Sequence, residues 1–229
     1  MILVAANLDS QVSGEYKANR ECGARTRWLP QAVSAIWQEV TLAVQLHSDE
    51  TAAEPGCSFS FKDLTDALNA RTSIPSLPEL NELMERAKIS SAELRPYLGF
   101  KTGNYSRHRV MKNEFVEMLV LCWKPGQRTP IHDHNGSHGT VFIHDGILWE
   151  TTFDYDTVTG LAYRAHRELR GGGLTASEVP DIHQLGNPDV SGCDLITIHI
   201  YAPPLGVLKT YKLGSSTIDL YTPADPDFL

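Results

Sequence analysis

The sequence predicts a mainly β protein, a sandwich or closed barrel with a helical region ahead of it. Two patterns carry that reading. From Tyr105 to Tyr221, short β-branched and aromatic runs are separated by Gly, Pro, Asn and Asp turns. Before them, apolar residues recur near helical spacing. A third observation sets where function is sought: the stretch PGQRTPIHDHNGSHGTVFIHDG carries His132 and His134 between apolar, β-branched neighbours.

The elements follow in order. Residues 1–24 are polar after their first few positions and read as a flexible lead-in. Leu29, Ala32, Val33, Ile36, Val40 and Val44 define an amphipathic helix within 25–46. SFKDLTDALNAR and SLPELNELMERAKI read as two further helices, with Ser60 and Ser76 as N-caps and Pro78 in a first turn. NYSRHRV, FVEMLVLCW, TPIHDHNG, GTVFIHDGILWETTFDY, LAYRAHREL, TASEVPDIHQL, DLITIHIYAPP, LKTYKL and STIDLYT then read as strands. The expected organisation is one domain over 25–229, helical over about 25–100 and β over about 101–221, with the helices packed on one face or end.

Composition narrows the function class. The 229 residues are 41% hydrophobic, enough for a substantial core, and carry a net charge of −8. That charge argues against nucleic acid, whose phosphates need clustered Lys and Arg. The opening MILVAANLDS lacks a basic flank and is too short for a secretory core or membrane span, so a soluble, cytoplasmic protein without membrane association is expected. Cys22, Cys57, Cys122 and Cys193 form no C-x-x-C pair and read as reduced, buried thiols.

Four groups of residues carry candidate chemistry. On a strand, His132 and His134 would project from one face, the geometry of adjacent metal ligands, and imidazole suits Fe, Zn, Cu and Ni. His183 follows in PDIHQLGN, where only the fold would bring it close. Thr197, His199 and Tyr201 alternate onto one face of TIHIY; such a face is either solvated or internally paired. Tyr105, Arg107 and Arg109 share a face of NYSRHRV, and a guanidinium fork there suits a carboxylate, although alternating basic residues also mark solvated faces. His138 is a candidate for contact with the ligand pair. His47, His108, His144 and His166 read as surface or turn residues.

Together these segments resemble the cupin superfamily and, within it, the thiol dioxygenases of the cysteine dioxygenase family. Gly126, His132, His134 and Gly146 match the first cupin motif, with Gly139 at the position of its glutamate. His183 and Asn187 look like the second motif. CWKPGQRTPIHDHNGSHG, TIHIYAPP and YSR resemble the family's tryptophan strand with His-Asp-His, its Ser-x-His-x-Tyr with Pro-Pro, and its Tyr-x-Arg. These matches cover roughly Tyr105 to Pro204.

The resemblance implies a jelly-roll-like, cupin-type β-barrel and an Fe(II) site formed by His132, His134 and His183. It further implies Arg107 as carboxylate clamp and Thr197, His199 and Tyr201 as a relay, with Tyr105 and Trp123 lining the pocket, or Trp123 equally a core residue. Animal members carry a cysteine, crosslinked to the tyrosine, where this chain has Gly139, so Tyr201 is expected to keep a free phenol, as in the bacterial type. Thr197 stands where the family has serine. The implied reaction takes a small-molecule thiol and O2 to a sulfinic acid, with L-cysteine favoured because arginine occupies position 107. Oxidation of 3-mercaptopropionate or another small carboxylated thiol is the alternative, and a metal cupin of a different chemistry the rival.

Overall fold

The computed structural model describes residues 59–177 and 181–223. The lead-in expected over 1–24 and the helix expected within 25–46 lie outside them. Among the described residues three α-helices, α1 (Phe61–Asn69), α2 (Leu77–Arg86) and the single turn α3 (Ser91–Leu94), precede the strands. Each opens on a serine with an acidic residue three positions on, as a capping box requires. Asp63, Glu79 and Glu93 accept the backbone N–H of Ser60, Ser76 and Ser90 at 2.9, 2.7 and 2.9 Å. The N-caps expected at Ser60 and Ser76 are therefore present, and Pro78 lies in the first turn of α2.

Eleven strands follow among the described residues: β1 (Ser106–Lys112), β2 (Glu117–Trp123), β3 (Ile131–His132), β4 (His138–Asp145), β5 (Ile147–Asp156) and β6 (Gly160–Arg170), then β7 (Leu174–Ser177), β8 (Ile182–Gly186), β9 (Leu195–Ala202), β10 (Leu208–Tyr211) and β11 (Ile218–Tyr221). They form a five-stranded sheet, β1-β2-β9-β4-β7, and a six-stranded sheet, β11-β10-β3-β8-β5-β6. Every pairing is antiparallel. This is the mainly β, cupin-type barrel that the sequence predicts.

The two central strands of the first sheet, β2 and β9, are buried on both faces. Met118, Val120, Cys122, Ile196, Ile198 and Ile200 face outward and pack under Phe61, Leu64, Leu68, Leu80 and Met84 of the helices. Burial of each such side chain contributes about 1.5–3 kcal/mol over leaving it exposed. Leu119, Leu121, Trp123 and Tyr201 face the other way, into the barrel. The helices brace one sheet from behind, and none of their residues lines the cavity described below. Burial on both faces explains why FVEMLVLCW reads as a nearly continuous apolar run rather than an alternating one.

Five expectations are corrected. TPIHDHNG forms only the two-residue β3, because an Asx-turn through Asp133 and left-handed Asn135 (φ 47°) turn the chain away after His132. TASEVPDIHQL and GTVFIHDGILWETTFDY are each two strands, β7 with β8 and β4 with β5, and the two members of each pair belong to different sheets. His108 is buried, its ring on the Gly99 carbonyl, rather than at the surface. Cys193 is disulfide-bonded rather than reduced, a pairing that the absence of a C-x-x-C spacing does not exclude. Cys122 is a free, buried thiol, pushed up to about 11 by burial. The Ala202–Pro203 peptide bond is cis. No helix among the described residues is long and apolar enough to cross a membrane.

Candidate active site

Barrel closure brings the three histidines together. β3 lies between β10 and β8, and His132 is the direct cross-strand partner of His183. His134 reaches the same point from the turn beyond β3. One ring nitrogen of each lies within 4.8 Å of the others, and all three side chains are buried. The shared strand face expected for His132 and His134 is thus replaced by a strand end and a turn, with the same convergence.

The hydrogen bonds around the triad decide which nitrogens face its centre. His132 donates from Nδ1 to the Pro130 carbonyl at 2.9 Å, which leaves Nε2. His183 donates from Nδ1 to Glu150 Oε1 at 3.1 Å, and its Nε2 has no partner among the described residues. Among them neither ring nitrogen of His134 has one. Buried polar atoms without partners are costly, so a cluster of them calls for an acceptor of their lone pairs. Burial, reinforced by the charge of neighbouring histidines, holds His132 down to about 3 and His134 well below the ordinary histidine range. Neutral imidazoles with converging lone pairs are competent metal ligands, and the donor set fits a transition-metal ion.

Two residues outside the expected set hold this arrangement. Glu150, on β5, also accepts from Arg167 Nε at 2.6 Å and Thr175 Oγ1 at 3.0 Å. Burial pushes its carboxyl upward, but the hydrogen bonds and charges of His183 and Arg167 prevail and hold it at about 2. Strand parity offered a signal for it, since Glu150 shares its face of β5 with fully buried Leu148. Tyr211 donates to Asp133 Oδ2 at 2.8 Å, while Asp133 Oδ1 accepts the Asn135 N–H at 3.0 Å. That carboxylate pins the turn carrying His134. Asn187 donates to the carbonyls of Trp123 and Cys193, a structural rather than ligating position.

Thr197, His199 and Tyr201 point into the barrel, so the paired alternative for their strand face is the one realised. Thr197 Oγ1 lies 2.8 Å from His199 Nε2, and His199 Nδ1 lies 2.9 Å from the Tyr201 hydroxyl. Burial, with the charge of Arg107, holds His199 at about 3, and burial raises the Tyr201 phenol above its ordinary value. The ring of Tyr201 lies against His134, with centroids 5.3 Å apart. A Cβ built on Gly139 would meet Tyr201 Cδ1 at 2.7 Å and the Ile200 carbonyl at 2.9 Å. Glycine at 139 is what allows the Tyr201 ring its position.

A cavity opens against this group. Arg107, His132, His199 and Tyr201 line it, with Tyr105 and Tyr221 also in its wall and leucines between. The two arginines of β1 separate here. Arg109 donates from Nε to buried Glu117 at 2.9 Å, whereas Arg107 lines the cavity. Trp123 takes the core place, the second of its two expected positions. It is fully buried, is not in the cavity wall, stacks on Tyr105 at 4.2 Å and donates from its indole N–H to Thr197 Oγ1 at 2.9 Å. Its whole strand is buried on both faces, so alternation in sequence cannot tell cavity from core. His138 donates to the Pro75 carbonyl at 2.8 Å and ties β4 to the helices rather than to the triad.

A family model described as cysteine dioxygenase type I matches residues 57–213. The cysteine dioxygenase type 1 of Rattus norvegicus is 28% identical over 141 residues, 59% of this chain and 70% of that protein. That of Homo sapiens is 26% identical over 141 residues with the same coverage. Among solved structures, a conserved protein with a double-stranded β-helix domain from Klebsiella pneumoniae is 18% identical and covers 58% of this chain and 97% of its own, with a TM-score of 0.41.

Proposed function

The chain belongs to the cysteine dioxygenase type I family, and we propose that it oxidises a small carboxylated thiol with O2 to the sulfinic acid, with L-cysteine the favoured substrate. The observation that carries this reading is the cavity that joins Arg107, one histidine of the buried triad, and a buried Thr197–His199–Tyr201 chain. The balance is simple: a thiolate and one O2 give a sulfinate, with both oxygen atoms on sulfur and four electrons passing from sulfur to oxygen. His132, His134 and His183 would hold Fe(II). Bound there, the ion would supply open positions for thiolate and oxygen and the redox capacity of the step, without opposing ligand charge.

The remaining work belongs to the chain's own residues. Arg107 pairs with the substrate carboxylate through its guanidinium fork and so fixes where the sulfur lies. Tyr105, stacked on the fully buried Trp123 ring, gives that end of the cavity a packed wall. Leu119, Leu121 and Leu185 exclude water and raise the strength of each polar contact inside. Tyr201, kept protonated by burial, offers a hydrogen bond to the oxygen atoms that gain charge.

Oxygen uptake by iron-loaded protein with L-cysteine and 3-mercaptopropionate in parallel, with sulfinate measured by mass, tests the proposal. One O2 consumed per cysteine sulfinate supports it. A preference for 3-mercaptopropionate keeps the chemistry and overturns the substrate. No uptake with either thiol at full iron occupancy points to a cupin of another chemistry.

A further inference from the structure

Thr197 Oγ1 has two hydrogen-bond partners among the described residues, Trp123 Nε1 at 2.9 Å and His199 Nε2 at 2.8 Å. The indole N–H can only donate. The hydroxyl has one proton, and among the described residues His199 Nε2 is the sole acceptor it is bonded to. Were Nε2 protonated and donating to Thr197, the threonine proton would be buried without a partner, the arrangement buried networks avoid. The satisfied pattern runs one way: Trp123 donates to Thr197, Thr197 to His199 Nε2, and His199 from Nδ1 to the Tyr201 oxygen at 2.9 Å. The phenol proton is then left for the cavity that Tyr201 lines.

We propose that Trp123 is a positioning residue that, through Thr197, fixes His199 as its Nδ1–H tautomer, so that Tyr201 faces the cavity as a hydrogen-bond donor. The chain of four side chains has a fixed direction, set at its buried end by an atom that cannot accept. Any group seated against Tyr201 must therefore be an acceptor, such as an oxygen or a thiolate. Reversal would turn the phenol proton back onto His199 and offer the cavity only a lone pair. The consequence for turnover rests on the thiol-dioxygenase reading; the direction of the chain does not.

Nitrogen NMR of uniformly labelled, metal-free protein at neutral pH reads the tautomer directly, with His199 assigned by the signals lost in His199→Gln. The expected pattern is a pyrrole-like Nδ1 and a pyridine-like Nε2, and the reverse overturns the proposal. In Trp123→Phe, space left by the pyrrole ring admits a water able to accept the threonine proton. Both directions become satisfied, so the two shifts are expected to move towards each other, while Thr197→Ser keeps the wild-type pattern. An unchanged pattern in Trp123→Phe removes Trp123 from the role. Should that variant not fold, Thr197→Val is expected to lose the preference, and its retention there would equally overturn the assignment. Since no thiol or iron enters the measurement, its failure is distinct from failure of the proposed activity.

Discussion

Glu150 Oε1 accepts the Nδ1–H of His183 at 3.1 Å, and the two side chains are almost wholly buried together. A carboxylate behind an imidazole fixes its tautomer and rotation and makes its free nitrogen a better electron donor. Arg167 and Thr175 hold the carboxylate from the other side. Glu150→Gln keeps the shape and weakens the acceptor. The expected result is a fall in metal affinity of about 10- to 100-fold, read by competition with a chelator. Equal affinity in variant and wild type would show that His183 needs no such support.

The neighbouring arginines of β1 call for opposite outcomes. Arg107→Ala removes a group of the cavity wall, so the thiol KM is expected to rise by about tenfold or more, with iron content and melting temperature little changed. Arg109→Ala leaves Glu117 buried without its 2.9 Å partner. Stability is expected to fall by about 3 kcal/mol, read by denaturant unfolding, with a smaller effect on KM among molecules that remain folded. If Arg109→Ala instead raised KM while stability held, the roles of the two would have to be exchanged.

How much of this was readable from sequence follows from strand parity. Thr197, His199 and Tyr201 were legible because period-two alternation survives along β9, and the place of His199 and Tyr201 in the cavity wall settles which way the face points. His132 and His134 were legible as a pair, but not the turn between them, which depends on Tyr211 of β10 holding Asp133. Glu150 was out of reach as a partner of His183, because only closure of the second sheet sets β5 beside β8. Trp123 stayed open between cavity and core for a different reason. On a strand buried on both faces, apolar character marks no side as the cavity.

Gly139 sets a steric condition on the relay. Its missing side chain would collide with Tyr201 Cδ1 and the Ile200 carbonyl, one of them backbone and unable to yield. Gly139→Ala is therefore expected to lower stability by about 1–3 kcal/mol and to reduce turnover by displacing the phenol. Thermal unfolding beside oxygen-uptake kinetics checks both. A variant with unaltered melting temperature and kcat would mean that β4 and β9 separate at little cost.

Tyr221 bears on which thiols enter. It sits at the end of β11, directly opposite Leu208 of β10, and contributes to the cavity wall while about a third exposed, 36%. The matched family segment ends at residue 213, so this wall lies outside what the chain shares with that model. A large ring in this wall would limit how far a substrate can extend beyond a carboxylate placed, as proposed, on Arg107. Tyr221→Ala is expected to raise kcat/KM for bulkier carboxylated thiols relative to L-cysteine by about tenfold, the scale of discrimination that a few apolar atoms supply. Because β11 is an exposed edge strand, the fold should tolerate the change, which circular dichroism verifies. An unchanged ratio across a series of thiols of increasing size would assign size selection to the leucines deeper in the cavity instead.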